Sequence, residues 1–68
     1  MNYAKTIKKL RLKMMLTQEE FAKELGVSFE TVNRWENSKC EPTMKLRRKL
    51  LSLAKDNGVD FEEVGGNE

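Results

Sequence analysis

Phe29, Glu30, Asn33 and Arg34 fall at helical spacing and share one face, turned away from Val32. That face carries an aromatic ring, a carboxylate, an amide and a guanidinium, the groups that read hydrogen-bonding edges rather than break bonds. Catalytic chemistry lacks its parts. The chain has no His and one Cys (Cys40), with no Gly-rich phosphate loop and no carboxylate pair in a plausible cleft, so an enzyme is not expected. The usual zinc sites cannot be assembled either, and no metal, cofactor or small-molecule ligand is expected. Cys40 beside Lys39 has a weak reading as a redox sensor; an incidental residue is the simpler one.

Two short amphipathic segments must position that face. Leu16 to Trp35 reads LTQEEFAKELGVSFETVNRW. Thr17 with Glu20 three residues on is a capping box, and Leu16 and Phe21 are spaced for a hydrophobic staple. Val27 before the candidate cap Ser28, with Val32 at the fourth helical position, repeats the staple. Gly26 between them takes a left-handed turn without steric cost. Two helices meeting at such a corner form a helix-turn-helix, whose second helix fits the DNA major groove.

The remaining elements follow from apolar spacing. Helix one is expected at about Tyr3 to Met14, with Tyr3, Ile7, Leu10 and Met14 on one stripe. Arg11 lies beside that stripe, where a charge needs a partner. Helix two is expected at Gln18 to Leu25, with Phe21, Ala22 and Leu25 inward. Helix three should run from Phe29 to Asn37 on Val32 and Trp35. Pro42 ends any helix before it, and Thr43 caps a fourth from Met44 to Asp56. Leu46, Leu50 and Leu53 form its expected stripe, with Met44, Leu51 and Ala54 at the margin and Arg47 on the surface. One more turn over residues 60–64 would have Phe61 and Val64 as weak anchors, and the last four residues should fray.

With 68 residues there is room for one domain and one small core. The pattern reads as all-α, with a folded unit over residues 1–58 and a short acidic tail over 59–68. No apolar run approaches the roughly 20 residues of a membrane span, and no secretory signal is visible, so a cytoplasmic location is expected. The net charge of +2 hides an uneven distribution. Residues 1–16 carry five bases and no acid, whereas the chain from Asp56 onward carries five acids and no base. A basic body with an acidic tail suits an anionic partner approaching one side, although solvated helix faces account for the charges equally well.

With its elements placed, the chain resembles the lambda-repressor-like helix-turn-helix family, in particular the small Xre/Cro-type regulators. The likeness is carried by Leu16-Thr17-Gln18-Glu19-Glu20-Phe21-Ala22, Leu25-Gly26-Val27-Ser28 and Thr31-Val32-Asn33-Arg34-Trp35-Glu36-Asn37, with Pro42-Thr43 entering the fourth helix. It implies a compact bundle of four to five helices that binds double-stranded DNA, commonly as a homodimer on an inverted repeat. It further implies base contacts from Phe29, Glu30, Asn33 and Arg34. Arg34 would pair with guanine, Asn33 with adenine, Glu30 with a cytosine amine and Phe29 with a thymine methyl. Phe29 can instead pack on helix two or a partner, and Glu30 can simply complement the helix dipole. Phosphate contacts are implied for Gln18, Ser28, Thr31, Asn37 and Lys39, Thr31 otherwise supporting the turn and Lys39 otherwise being solvated. Arg11 and Glu36 would form a structural ion pair.

Three departures from the family pattern stand out. Ser38 occupies a place where Gly is common, so the chain is expected to turn differently there. Glu41 sits among the loop's bases and would weaken a phosphate grip. The segment after helix four is short of the apolar residues that commonly supply the family's dimer interface. The leading reading is a sequence-specific transcriptional regulator acting as a repressor. The alternative is a protein-interaction module of the same fold, such as an antitoxin or enzyme-associated subunit, with the acidic tail as its contact.

Overall fold

Helices begin and end in this chain by a repeated chemistry. A computed structural model describes residues 3–59. It contains α1 (Tyr3–Lys13), α2 (Gln18–Leu25), α3 (Phe29–Glu36) and α4 (Met44–Asp56). Each of the last three opens on a hydroxyl. Thr17 Oγ1 accepts from the Glu20 N–H, Ser28 Oγ from Thr31 and Thr43 Oγ1 from Leu46. Glu20 returns the bond to the Thr17 N–H at 2.9 Å, which completes the capping box.

All four helices end with a residue in the left-handed region: Met15 (φ 60°), Gly26 (74°), Ser38 (60°) and Gly58 (70°). In each case the next N–H reaches back five residues, from Leu16 to Arg11, Val27 to Ala22, Lys39 to Arg34 and Val59 to Ala54. This closure satisfies carbonyls that a helix end leaves open. Leu16, Val27 and Val59 then pack against the core. Lys39 is exposed instead, so the chain leaves the bundle at the end of α3. Ser38 therefore does not turn differently from a glycine. It adopts the left-handed conformation, held by its N–H on the Trp35 carbonyl at 3.2 Å and by the Lys39 bond after it.

The core joins Tyr3, Ile7 and Leu10 of α1, Phe21, Ala22 and Leu25 of α2, Val32 and Trp35 of α3, and Leu50 and Ala54 of α4, with Val59. α3 packs on both α1 and α2, and α4 packs on α1. The buried face of α4 is rotated from the expected stripe. Leu46, Leu53 and Met14 are half-buried, whereas Ala54 is interior, because the turn at Gly58 folds Val59 back onto it. Val59 thus joins the folded unit, one residue beyond the expected boundary. Arg47 also departs from expectation. It is half-buried, its guanidinium carbon 5.0 Å from the centre of the Tyr3 ring, with Nε donating to the Pro42 carbonyl at 2.9 Å. Glu41 lies 3.4 Å from the same guanidinium. The additional turn over residues 60–64, with Phe61 and Val64, lies outside the described residues.

The two kinds of left-handed terminator respond oppositely to substitution. Met15 is 87% exposed, so its side chain contributes little packing. Met15→Gly is expected to raise stability by about 0.5–1 kcal/mol, the relief of left-handed strain less the chain entropy of Gly. Gly26→Ala meets no atom within 4 Å and should cost about 1–2 kcal/mol through backbone strain alone. Urea denaturation of both variants checks the pair; equal and opposite signs from those stated would refute the assignment.

Candidate nucleic-acid interface

The site is built around a corner tied at its open end. Arg11 projects from α1 and donates Nε to Glu36 Oε2 at 2.7 Å and an NH2 hydrogen to Oε1 at 3.1 Å. A third bond runs from its NH1 group to the Leu16 carbonyl at 3.0 Å. The Gln18 amide donates to Glu36 Oε1 at 3.0 Å. The two charged side chains are 12% and 5% exposed, which makes their mutual neutralisation a condition of burial. One guanidinium therefore joins α1, the turn into α2 and the end of α3, while Gln18 brings in the start of α2. The reach to Leu16 and the Gln18 bond were not visible in residue spacing, since both depend on how the helices cross.

With Val32 and Trp35 packed inward, the opposite face of α3 is open. Phe29 is 46% exposed, and Glu30 and Arg34 are exposed. None of these three side chains makes a hydrogen bond or ion pair among the described residues. Asn33 is half-buried and is held by Asn37, whose Nδ2 donates to the Asn33 carbonyl at 2.8 Å and to Asn33 Oδ1 at 3.1 Å. These two contacts turn the Asn37 amide nitrogen toward Asn33. The i, i+4 spacing of two Asn residues was the signal for this pair.

Of the other residues, Ser28 and Thr31 have their hydroxyl oxygens 2.9 Å apart, one donating to the other, at the start of α3. The second hydroxyl hydrogen stays available. Gln18 has one amide hydrogen on Glu36 and a second remaining. Lys39 is exposed, its backbone N–H fixed to the Arg34 carbonyl at 2.8 Å. Cys40 is a free, exposed thiol. No group of His, Cys, Asp or Glu that could hold a metal occurs among the described residues, and no helix there is long and apolar enough to cross a membrane.

The tight left-handed corner, the inward Trp35 and the open polar face of α3 define a helix-turn-helix unit. The helix-turn-helix family model matches residues 7–64. The chain belongs to this family, of the Xre, lambda-repressor-like type, which is generally non-enzymatic. It is similar to an uncharacterized HTH-type transcriptional regulator of Methanocaldococcus jannaschii, 45% identical over 49 residues, which span 72% of this chain and 70% of that protein. It is also similar to an uncharacterized HTH-type transcriptional regulator of Archaeoglobus fulgidus, 46% identical over 47 residues, spanning 69% of this chain and 66%, just under two thirds, of that protein. No solved structure matches the chain.

Removing one member of the tied corner should be costly and replacing both should not. Glu36→Gln leaves the Arg11 charge enclosed and is expected to cost about 3 kcal/mol, whereas Arg11→Met with Glu36→Leu should recover most of that loss. Thermal melts of the three proteins decide it: an unaltered melting temperature for Glu36→Gln removes the ion pair from its structural role.

Proposed function

We propose that this chain is a sequence-specific double-stranded DNA-binding transcriptional regulator that places α3 in the major groove and represses by occupying a promoter. The observation that carries the reading is the face of α3. Its inner residues, Val32 and Trp35, are buried, while the side chains of Phe29, Glu30 and Arg34 project without partners among the described residues. Leaving a guanidinium and a carboxylate unpaired on a rigid helix makes sense where base edges complete their hydrogen bonds. The likeness to two HTH-type transcriptional regulators supports the same reading.

In this arrangement Arg34 is the strongest reader, donating two bonds to guanine, with Glu30 and Phe29 flanking it and Asn33 alongside. The remaining amide hydrogen of Gln18, the free hydroxyl hydrogen of the Ser28–Thr31 pair and the Lys39 ammonium supply phosphate contacts, together with the positive end of α2. Asn37 serves the neighbouring side chain instead. We assign the DNA-binding unit to residues 3–59, with the acidic segment after it repelled by the duplex. A second copy would occupy the other half of an inverted repeat. A cytoplasmic location fits the regulatory reading.

Selection from a random duplex library, followed by anisotropy of the enriched labelled duplex across a salt series, tests the proposal. An enriched motif is expected, with log affinity falling by roughly 0.9 per neutralised phosphate for each decade of salt. Arg34→Ala should relax one position by about 1–3 kcal/mol. Lys39→Ala should weaken all sequences alike and reduce the salt slope by roughly one contact. Absence of enrichment together with salt-independent behaviour would overturn the proposal in favour of a protein-interaction module.

A further inference from the structure

The Asn33–Asn37 pair has a direction, and it can be traced from an atom whose polarity is fixed. The Asn33 backbone carbonyl only accepts. The Asn37 amide approaches it to 2.8 Å, so the approaching atom is Nδ2. That nitrogen also stands 3.1 Å from the side chain of Asn33. Two donors cannot share a hydrogen bond, so the facing atom of Asn33 is Oδ1, and its own Nδ2 is turned to the other side. Among the described residues, every buried side-chain nitrogen or oxygen has a hydrogen-bond partner. Asn33 Nδ2 has none among them, so it is open to solvent.

We propose that Asn37 is a specificity-positioning residue that sets which edge of the Asn33 amide faces the duplex. The inference rests on α3 being the helix that reads the major groove. An Asn free to rotate offers N–H and C=O side by side, the arrangement that pairs with adenine. Here the oxygen is held by Asn37 and the open edge is a donor. Asn33 therefore seeks acceptors, guanine O6 and N7 or thymine O4, and rejects cytosine, whose major-groove edge is a donor. Asn37 never touches a base. It acts from the end of α3 through one amide, and its own capping bonds through the backbone N–H do not depend on its side chain.

Library selection on the full chain and three variants tests this. For the unaltered chain, one position is expected at which cytosine is depleted roughly 5- to 100-fold. Asn33→Ala should abolish that depletion. Asn37→Ala should reduce it severalfold at the same position while preferences elsewhere and the salt slope stay as they were. Asn37→Asp presents a group that only accepts. The Asn33 amide should then turn over, and the preference at that position should move to cytosine or adenine, whose exocyclic amines donate. Two results would overturn the proposal while leaving DNA recognition intact. One is an unchanged base profile in both Asn37 variants although Asn33→Ala alters it. The other is a uniform loss of affinity in Asn37→Ala with a salt slope lower by roughly 0.9, the signature of a phosphate contact. If the unaltered chain enriches no motif, the DNA reading itself fails and the proposal falls with it.

Discussion

The guanidinium of Arg11 is the constraint on which the arrangement of the helices depends. Enclosed almost completely, it cannot stay buried without acceptors, and it finds three: both Glu36 oxygens and the Leu16 carbonyl. These acceptors come from two stretches of chain, the end of α3 and the turn into α2, so the charge is satisfied only when both have met α1. Desolvation makes partial assembly unfavourable, because a half-paired charge in that position is worse than an open one in water. Gln18 adds the start of α2 to the same point. Apolar contacts would tolerate several angles between α2 and α3; this fork admits few. The outward face of α3 is thus oriented by polar geometry on its inner side.

A second economy lies in the helix ends. Each of the four helices stops by the same left-handed closure, and at three of them the residue after the turn is apolar and joins the core. Turn and core are then one structure, so short helices of 8 residues can persist where isolated ones would be marginal. The end of α3 breaks the rule with Lys39. At that place the chain spends no apolar residue on closure and presents a cation beside the polar face of α3 instead.

The elements themselves were legible in residue order. Thr17, Ser28 and Thr43 are caps whose chemistry acts over three residues, and Gly26 and Pro42 punctuate locally, so the bounds of α2 and α4 could be read directly. Local signals also anticipated that Arg11 required a partner. Whatever depended on helix crossing was hidden. The inward turn of Ala54 follows from Val59 folding back, and the placing of Arg47 over Tyr3 follows from α4 meeting the start of α1. Ser38 misled for a different reason. A serine tolerates the left-handed region when the hydrogen bonds on either side outweigh a modest strain, and residue type alone does not reveal those bonds. The exposed face of α3 was apparent from spacing; the i, i+4 spacing allowed Asn33 and Asn37 to meet, and distances were needed to show which atoms do.

Trp35, the single tryptophan of the chain, sits 1% exposed on the inner side of the same helix whose outer side is open. Its indole therefore shares a rigid body with Phe29, Glu30 and Arg34 while being screened from whatever they touch. Emission from this ring reports the dryness of the interior and changes when the bundle opens. Occupation of the outer face leaves its surroundings apolar. The chain thus carries a built-in optical separation between integrity and occupancy: intrinsic fluorescence follows the first, and the second has to be followed from the ligand's side.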